Sequence, residues 1–231
     1  MKRFYTDVSV TQGADGWSVA LDGRPVRTPA RALLALPNEA LGQAVADEWR
    51  AQGDEILLES MPMTGLSNAA IDQIAPRRAS FAQGVAAYGE SDLLCYRADA
   101  PQTLVDRQAA AWDPLLDWAR GRYDVTLRVT QGIIHVAQPP ETLVRLGAAV
   151  AALDPFTLAG LSTLVSLTGS LVCGLALVEG AQDPDIIWAA SELDEMWQVE
   201  RWGEDAEAAA RRARRHQEFA MSWAFCAMAR E

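Results

Sequence analysis

The sequence predicts an α+β protein with a small β-rich N-terminal domain, residues 1–98, and a larger, mainly helical C-terminal domain, residues 99–231. Two observations lead to this fold class. Short alternating stretches broken by glycine and proline fill residues 4–36, which is typical of an antiparallel meander. From about residue 100 onward, apolar residues recur at helical spacing instead. A chain of 231 residues can form one domain or two.

The N-terminal meander is predicted from alternation and turn signals. Its strands are expected at Phe4–Val10, Trp17–Leu21, Arg24–Thr28 and Leu33–Leu36. Asp22 and Gly23 form a strong two-residue hairpin signal between the second and third strands. Pro25 and Pro29 lack a backbone donor, so the third strand is expected to be short or to lie at an edge.

The middle of the chain is predicted to be mostly helical. Asn38 begins a helix that ends at Gly53, and Trp49 on this helix is expected to anchor the core as a structural residue. The remaining elements are a strand at Ile56–Leu58, helices at Thr64–Ile74 and Arg77–Tyr88, and a short apolar segment of undecided type at Leu93–Tyr96.

The C-terminal half begins with a helix at Pro101–Tyr123, in which Pro114 predicts a kink or break near Asp113. Residues 125–129 and 133–136 alternate and are compatible with a hairpin. Further helices are expected from Pro139 to about Ala152 and across 204–229.

Residues 155–178 form the most apolar stretch, with no charged residue among 24. Such a run is long enough to span a membrane. However, Asp154 and Glu179 flank it, and serine, threonine and glycine interrupt it. A buried helix, or two helices broken near Gly169, is therefore favoured over membrane insertion.

The acidic stretch SELDEMWQVERWGED (191–205) contains six carboxylates and two tryptophans. Asp183 and Pro184 predict the start of a helix and Gly203 its end. A single helical projection gives a core stripe of Ile186, Ala190, Leu193 and Trp197. Its opposite face carries Trp188, Glu192, Glu195, Val199 and Trp202.

This second face has two interpretations. One is a solvated face with a partly buried tryptophan. The other is a partner-binding face, because exposed aromatic residues beside fixed charges are typical of interfaces.

Composition narrows the possible partners. The net charge is −11, which argues against nucleic acid and anionic membranes as main partners, because phosphate groups attract basic surfaces. Three cysteines without zinc-type spacing predict buried free thiols in a reducing compartment. The N-terminus MKRFYTDV has no long apolar segment, so no secretory signal is expected.

Motifs for common catalytic chemistry are missing from the sequence. The two histidines, His135 and His216, lack neighbours at metal-ligand spacing, and no nucleotide-binding or GxSxG motif occurs. The clustered carboxylates leave one enzymatic alternative open, a carboxylate-based and possibly metal-dependent hydrolase.

Seven sequence blocks carry a resemblance that covers nearly the whole chain. They are LDGRPVRTP (21–29), EWRAQG (48–53), MPMTGLSNAAID (61–72), YGESDLLCYRA (88–98), RQAAAWDPLLDWA (107–119), LTGSLV (167–172) and LDEMWQVERWGED (193–205). Together and in this order they resemble the Atp12 family, which comprises assembly chaperones of the F1 sector of ATP synthase.

The resemblance implies a function without catalysis or a cofactor. It implies binding to the free F1 α subunit, shielding of the α surface that pairs with β, and prevention of aggregation. The implied location is the cytoplasm of a bacterium, and the mitochondrial matrix for eukaryotic relatives.

The resemblance also implies site residues. The family's essential acidic position maps by position to Glu195, with Glu192, Asp194 and Glu200 as near alternatives. Trp49 matches another characteristic position, to which a structural role is assigned.

Overall fold

The computed structural model describes residues 1–132 and 134–230, and it confirms the α+β class. The described chain forms two compact units. The first contains residues 1–78, 154–160 and 224–230, and the second contains residues 79–153 and 161–223. The domain boundary between residues 98 and 99 stays a prediction.

Four strands form the N-terminal sheet, namely β1 (Val8–Gly13), β2 (Gly16–Leu21), β3 (Arg24–Pro25) and β4 (Ala35–Leu36). β1 and β2 pair antiparallel, with Val8 opposite Leu21, and both β3 and β4 pair with β2. The first strand therefore begins at Val8, four residues after the predicted start, and the third consists of two residues, the second of which is Pro25.

The predicted turn at Asp22 and Gly23 is present. Both residues have positive φ, 48° and 74°, as a tight hairpin of this kind requires. The Asp22 carboxylate accepts hydrogen bonds from the backbone N–H groups of Thr6 (3.0 Å) and Asp7 (2.8 Å). These bonds favour the charged form and lower the pKa of Asp22.

Helix α1 (Glu39–Arg50) begins as predicted, with the Asn38 side chain accepting from Leu41 N. Trp49 is 8% exposed, and its carbonyl accepts a hydrogen bond from the Tyr5 hydroxyl. Its neighbour Glu48 caps the next helix and accepts from Met63 N (2.6 Å), Thr64 N and Thr64 Oγ1.

The segment after α1 is helical in short pieces. The predicted strand at Ile56–Leu58 is wrong, because Leu58–Ser60 forms a 3-10 turn. The pieces that follow are α2 (Pro62–Ala69), a π-helical turn (Ala70–Ile74), 3-10 turns (Ala75–Arg77, Ala87–Ser91, Leu93–Cys95), α3 (Arg78–Ala86) and β5 (Tyr96–Arg97).

The later elements are mainly helices. They are α4 (Gln102–Tyr123), β6 (Thr130–Gln131), α5 (Pro140–Ala151), α6 (Pro155–Thr168), α7 (Leu171–Val178), α8 (Pro184–Ser191), α9 (Leu193–Trp202) and α10 (Ala206–Ala229). Helix α4 continues through Pro114, so the predicted break there is not found. β6 pairs in parallel with β5, and the described residues show no pairing between 125–129 and 134–136. Ile133, part of that predicted hairpin, lies outside the described residues.

The apolar run folds as two helices, α6 and α7, broken at Gly169 with a φ of 66°, as predicted. All eight residues of α7 are buried. Within the described residues, no helix combines the length and apolar character needed to cross a membrane.

Gly174 in α7 should not tolerate a side chain. A Cβ there would lie 2.5 Å from Cγ2 of Val165 and 2.8 Å from Cδ1 of Leu161. We expect Gly174→Ala to lower the free energy of unfolding by about 1–3 kcal/mol through overpacking. Denaturant titration of this variant beside Gly65→Ala tests this, because at Gly65 no atom outside the backbone of its own helix lies within 4 Å of the new Cβ. Equal stability of the two variants would contradict close packing at Gly174.

Asp92 is fully buried. Its carboxylate accepts a hydrogen bond from Val172 N at the start of α7 (3.0 Å) and another from Leu94 N (3.1 Å). Desolvation raises the pKa of this carboxyl, although the hydrogen bonds oppose the shift. Burial also raises the pKa of Cys95, Cys173 and Cys226 to about 12, so these free thiols are protonated at neutral pH.

The raised pKa of Asp92 predicts a pH effect of defined sign. The folded state binds the proton of the Asp92 carboxyl more tightly than the unfolded state does. The stability that comes from this protonation is therefore fully present below the ordinary carboxyl pKa, and it is lost as the pH rises through the pKa of Asp92 in the folded state. Wild type should therefore gain stability relative to Asp92→Asn as pH falls from 7 to 4.

The Asp22→Asn variant provides the control, because the pKa of Asp22 is lowered and its stabilising effect is lost on acidification. Urea titrations across this pH range measure both differences. The same sign for both variants would contradict the assignment.

Candidate functional site

The single helix predicted between Asp183 and Gly203 is two helices in the structure, α8 and α9. Asp183 caps α8 by accepting from Asp185 N, and Gly203 ends α9 with a φ of 85°, both as expected. Between the helices, Glu192 leaves helical geometry with φ −95° and ψ 6°. Within α8, Ala190 is buried as the projection predicted, but the second buried residue differs from the prediction. Ile187 is fully buried, and Ile186, predicted to be core, is 55% exposed.

Glu192 lies inside the protein, so the prediction that it occupies the outward face is wrong. It is 4% exposed, and its Oε1 lies 2.8 Å from Nη1 of Arg215. Its Oε2 has no hydrogen-bond partner among the described residues. Desolvation raises the pKa of Glu192, and Arg215 partly offsets that shift.

Arg215 connects the helix break to its surroundings. Its Nη2 donates to the carbonyl of Leu167 at 2.8 Å, and its Nη1 lies 3.8 Å from Oε2 of Glu195. Its guanidinium also lies 5.6 Å from the Trp188 ring. Trp188 is half-buried, with its ring centroid 5.1 Å from that of Phe219, so much of this predicted contact residue is covered.

Asp194 and Glu200 both bind side chains of α4. Asp194 Oδ1 accepts from Nε2 of Gln108 at 2.7 Å, and the Glu200 carboxylate accepts from Nη1 of Arg107 at 2.8 and 2.9 Å. The Arg107 guanidinium lies 4.8 Å from the ring of Trp197, which is buried as the projection predicted. These contacts hold α9 against α4.

An open groove lies where α9 turns into α10. We call it the corner groove; it has a volume of about 520 Å³ and is lined by Glu195, Gln198, Val199, Trp202, Gly203, Asp205, Ala208 and Arg211. Trp202 is 78% exposed, an unusual exposure for a tryptophan. Of the predicted contact residues, the structure thus brings Glu195 and Trp202 together.

The groove also contains residues that the helical projection did not select. Gln198 belongs to α9, whereas Ala208 and Arg211 come from the first turns of α10. The signal for them in the sequence is Gly203, whose positive φ lets the chain turn back after α9. Asp205 begins α10 by accepting from Ala208 N, and Glu204 pairs with Arg212.

The corner groove offers apolar and charged surface for contact with another molecule. Its exposed apolar surface comes from Trp202 and Val199, and its charge comes from two carboxylates and one guanidinium, those of Glu195, Asp205 and Arg211. Asp194 and Glu200, the carboxylates next to α4, are already hydrogen-bonded to Gln108 and Arg107.

Comparisons with known proteins agree with one another. The sequence model of the ATP12 chaperone protein family matches residues 2–120. The mitochondrial protein atp12 of Schizosaccharomyces pombe is 26% identical over 222 residues, which cover 89% of this chain and 75% of that protein.

Solved structures are similar over almost the whole chain. The crystal structure of Atp12 from Paracoccus denitrificans shares 45% identity and superposes with a TM-score of 0.94, covering 99% of this chain and 98% of the other. An aspartate-to-lysine mutant of the same P. denitrificans protein gives 45% identity and a TM-score of 0.95, with 99% and 97% covered. The chain is therefore a member of the ATP12 chaperone family.

Proposed function

We propose that this protein is an assembly chaperone of ATP synthase that binds the free F1 α subunit and shields the surface with which α later pairs with β. The observation that carries the proposal is Trp202, which is 78% exposed at the end of α9 and lines the corner groove together with Glu195 and Asp205. Membership of a chaperone family supports it.

The physical argument concerns both apolar surface and charge. An unassembled subunit exposes apolar surface and aggregates, so its chaperone must offer apolar contact that can later be released. A single tryptophan with Val199 beside it supplies a small contact of this kind. The net charge of −11 favours approach to a basic surface and raises the association rate.

The predicted site residues divide into two roles in this proposal. Trp202 and Glu195 contact the client directly; the Glu195 side chain is 36% exposed. Glu192, Asp194 and Glu200 hold α9 in position through their bonds to Arg215, Gln108 and Arg107. Because the contacts of these three lie within the protein, we do not assign them to the client interface.

We propose the bacterial cytoplasm as the location. The three cysteines are free thiols in the structure, which agrees with a reducing compartment. We propose no catalytic activity, because the contacts of Asp194 and Glu200 with Gln108 and Arg107 give both carboxylates a structural role.

Affinity purification from a native lysate tests the proposal. The tagged protein should retain F1 α in the absence of β, and should not retain assembled F1. Trp202→Ala should lose this retention, and Ile134→Ala is its matched control, because Ile134 is as exposed as Trp202, at 78%, and lies outside the corner groove. Retention of assembled F1, or of β alone, would contradict the proposal.

A further inference from the structure

A second groove lies in the first compact unit, which contains none of the residues of the corner groove. It has a volume of about 570 Å³, and its walls include Phe4, Val26 and Trp49 together with Arg24 and Arg27. We call it the arginine groove. It is part of neither the proposed client site nor its supporting contacts.

The apolar part of this groove is open to solvent at Phe4, whereas Val26 and Trp49 are buried. Phe4 is 65% exposed, although the next residue, Tyr5, is buried at 6%. An exposed phenylalanine beside a groove is a contact surface that water solvates poorly.

The charge of the groove is opposite to that of the protein. The chain has a net charge of −11, but Arg24 and Arg27 are both exposed at this groove. The groove also contains one carboxylate, that of Asp22, which stays charged while it accepts from the backbone N–H groups of Thr6 and Asp7, so two guanidinium groups outnumber one carboxylate. A basic groove on an acidic protein selects for acidic ligands and excludes a second basic surface.

The volume and chemistry of the groove favour a peptide. A cavity of this volume accommodates several residues, and its walls carry both apolar groups and guanidinium groups. Guanidinium groups bind carboxylates with two parallel hydrogen bonds, while aromatic rings bind apolar side chains. We propose that the arginine groove binds an acidic segment of a partner polypeptide, with an apolar side chain against Phe4 and Val26 and carboxylates against Arg24 and Arg27.

The experiment uses a dye-labelled ten-residue peptide of glutamate, serine and leucine, and a second peptide in which lysine replaces glutamate. Fluorescence anisotropy with the full-length protein should show binding of the glutamate peptide alone. Binding should weaken in high salt. The double variant Arg24→Glu/Arg27→Glu should weaken it at least about tenfold, since two attractions become repulsions. Phe4→Ala should weaken it through the loss of apolar contact.

Arg120→Glu/Arg214→Glu is the matched control, because it reverses two exposed arginines of the second unit and gives the same net charge. It should bind the glutamate peptide like wild type, and melting temperatures establish that all variants are folded. Equal binding of both peptides, or equal weakening by both double variants, would overturn the inference.

The same assay distinguishes the acidic peptide from two other possible occupants of the arginine groove. Inorganic phosphate that displaces the peptide at equal concentration would make the groove a small-anion site. Self-association of the protein that Arg24→Glu/Arg27→Glu abolishes would assign the groove to a second copy. Either result would overturn the inference, and neither depends on the client of the corner groove.

Discussion

Replacing Trp202 by alanine should weaken binding of purified F1 α by about 2 kcal/mol or more, which is roughly thirtyfold in Kd. Trp202 is 78% exposed in the free protein, so its burial in a complex would remove a large apolar surface from water. The same exposure means that few internal contacts are lost. The free energy of unfolding should therefore change by less than about 0.5 kcal/mol.

Isothermal titration calorimetry with free F1 α measures this effect, and Ile134→Ala serves as the matched control of equal exposure. The control should bind like wild type. If Trp202→Ala binds with unchanged affinity, or if Ile134→Ala is the weaker variant, the corner groove is not the client site.

Replacing Glu192 by lysine should produce the largest loss of stability, about 3–5 kcal/mol. The variant places a cation at a position that is 4% exposed, and 2.8 Å separates the native carboxylate from Arg215. The guanidinium of Arg215 would then face a like charge, and it would lose the carboxylate with which it pairs at the break between α8 and α9. For a chain of this size the melting temperature should fall by roughly 6–20 °C.

Glu195→Lys is the paired variant, with the same charge change at a side chain that is 36% exposed and lies 3.8 Å from Arg215. It should retain a melting temperature close to that of wild type but lose client binding. Thermal melting and calorimetry on both variants separate the two roles. A stable Glu192→Lys protein, or an unfolded Glu195→Lys protein, would contradict the assignment.

The start of α8 and the end of α9 could be predicted because local chemistry determines them. Asp183 supplies a cap, and Gly203 accepts a backbone conformation that other residues avoid. The break at Glu192 has no proline or glycine to mark it in the sequence, so the apolar periodicity predicted a single helix through this position. That error exchanged Ile186 for Ile187 in the core and placed Glu192 outside.

Long-range pairings were beyond the reach of the sequence. Tyr96 of β5 pairs in parallel with Thr130 of β6, and two-residue strands show no alternation that could reveal a partner. In the same way, the bonds that join Asp194 to Gln108 and Glu200 to Arg107 connect helices distant in sequence. The sequence shows that α9 is rich in carboxylates. Which of these carboxylates remain available to a client depends on the tertiary contacts, which the sequence does not show.

Hydrogen–deuterium exchange on the complex with free F1 α tests the central proposal most directly, because it requires no substitution. The turn between α9 and α10, residues 203–205, is not helical, and the backbone amides of Glu204 and Asp205 should exchange rapidly in the free protein, whereas that of Gly203 donates to the carbonyl of Val199. Binding of F1 α should slow exchange in peptides covering residues 195–211 and leave those covering 125–132 unchanged. Unchanged exchange at 195–211, with protection elsewhere in a stoichiometric complex, would contradict binding at the corner groove.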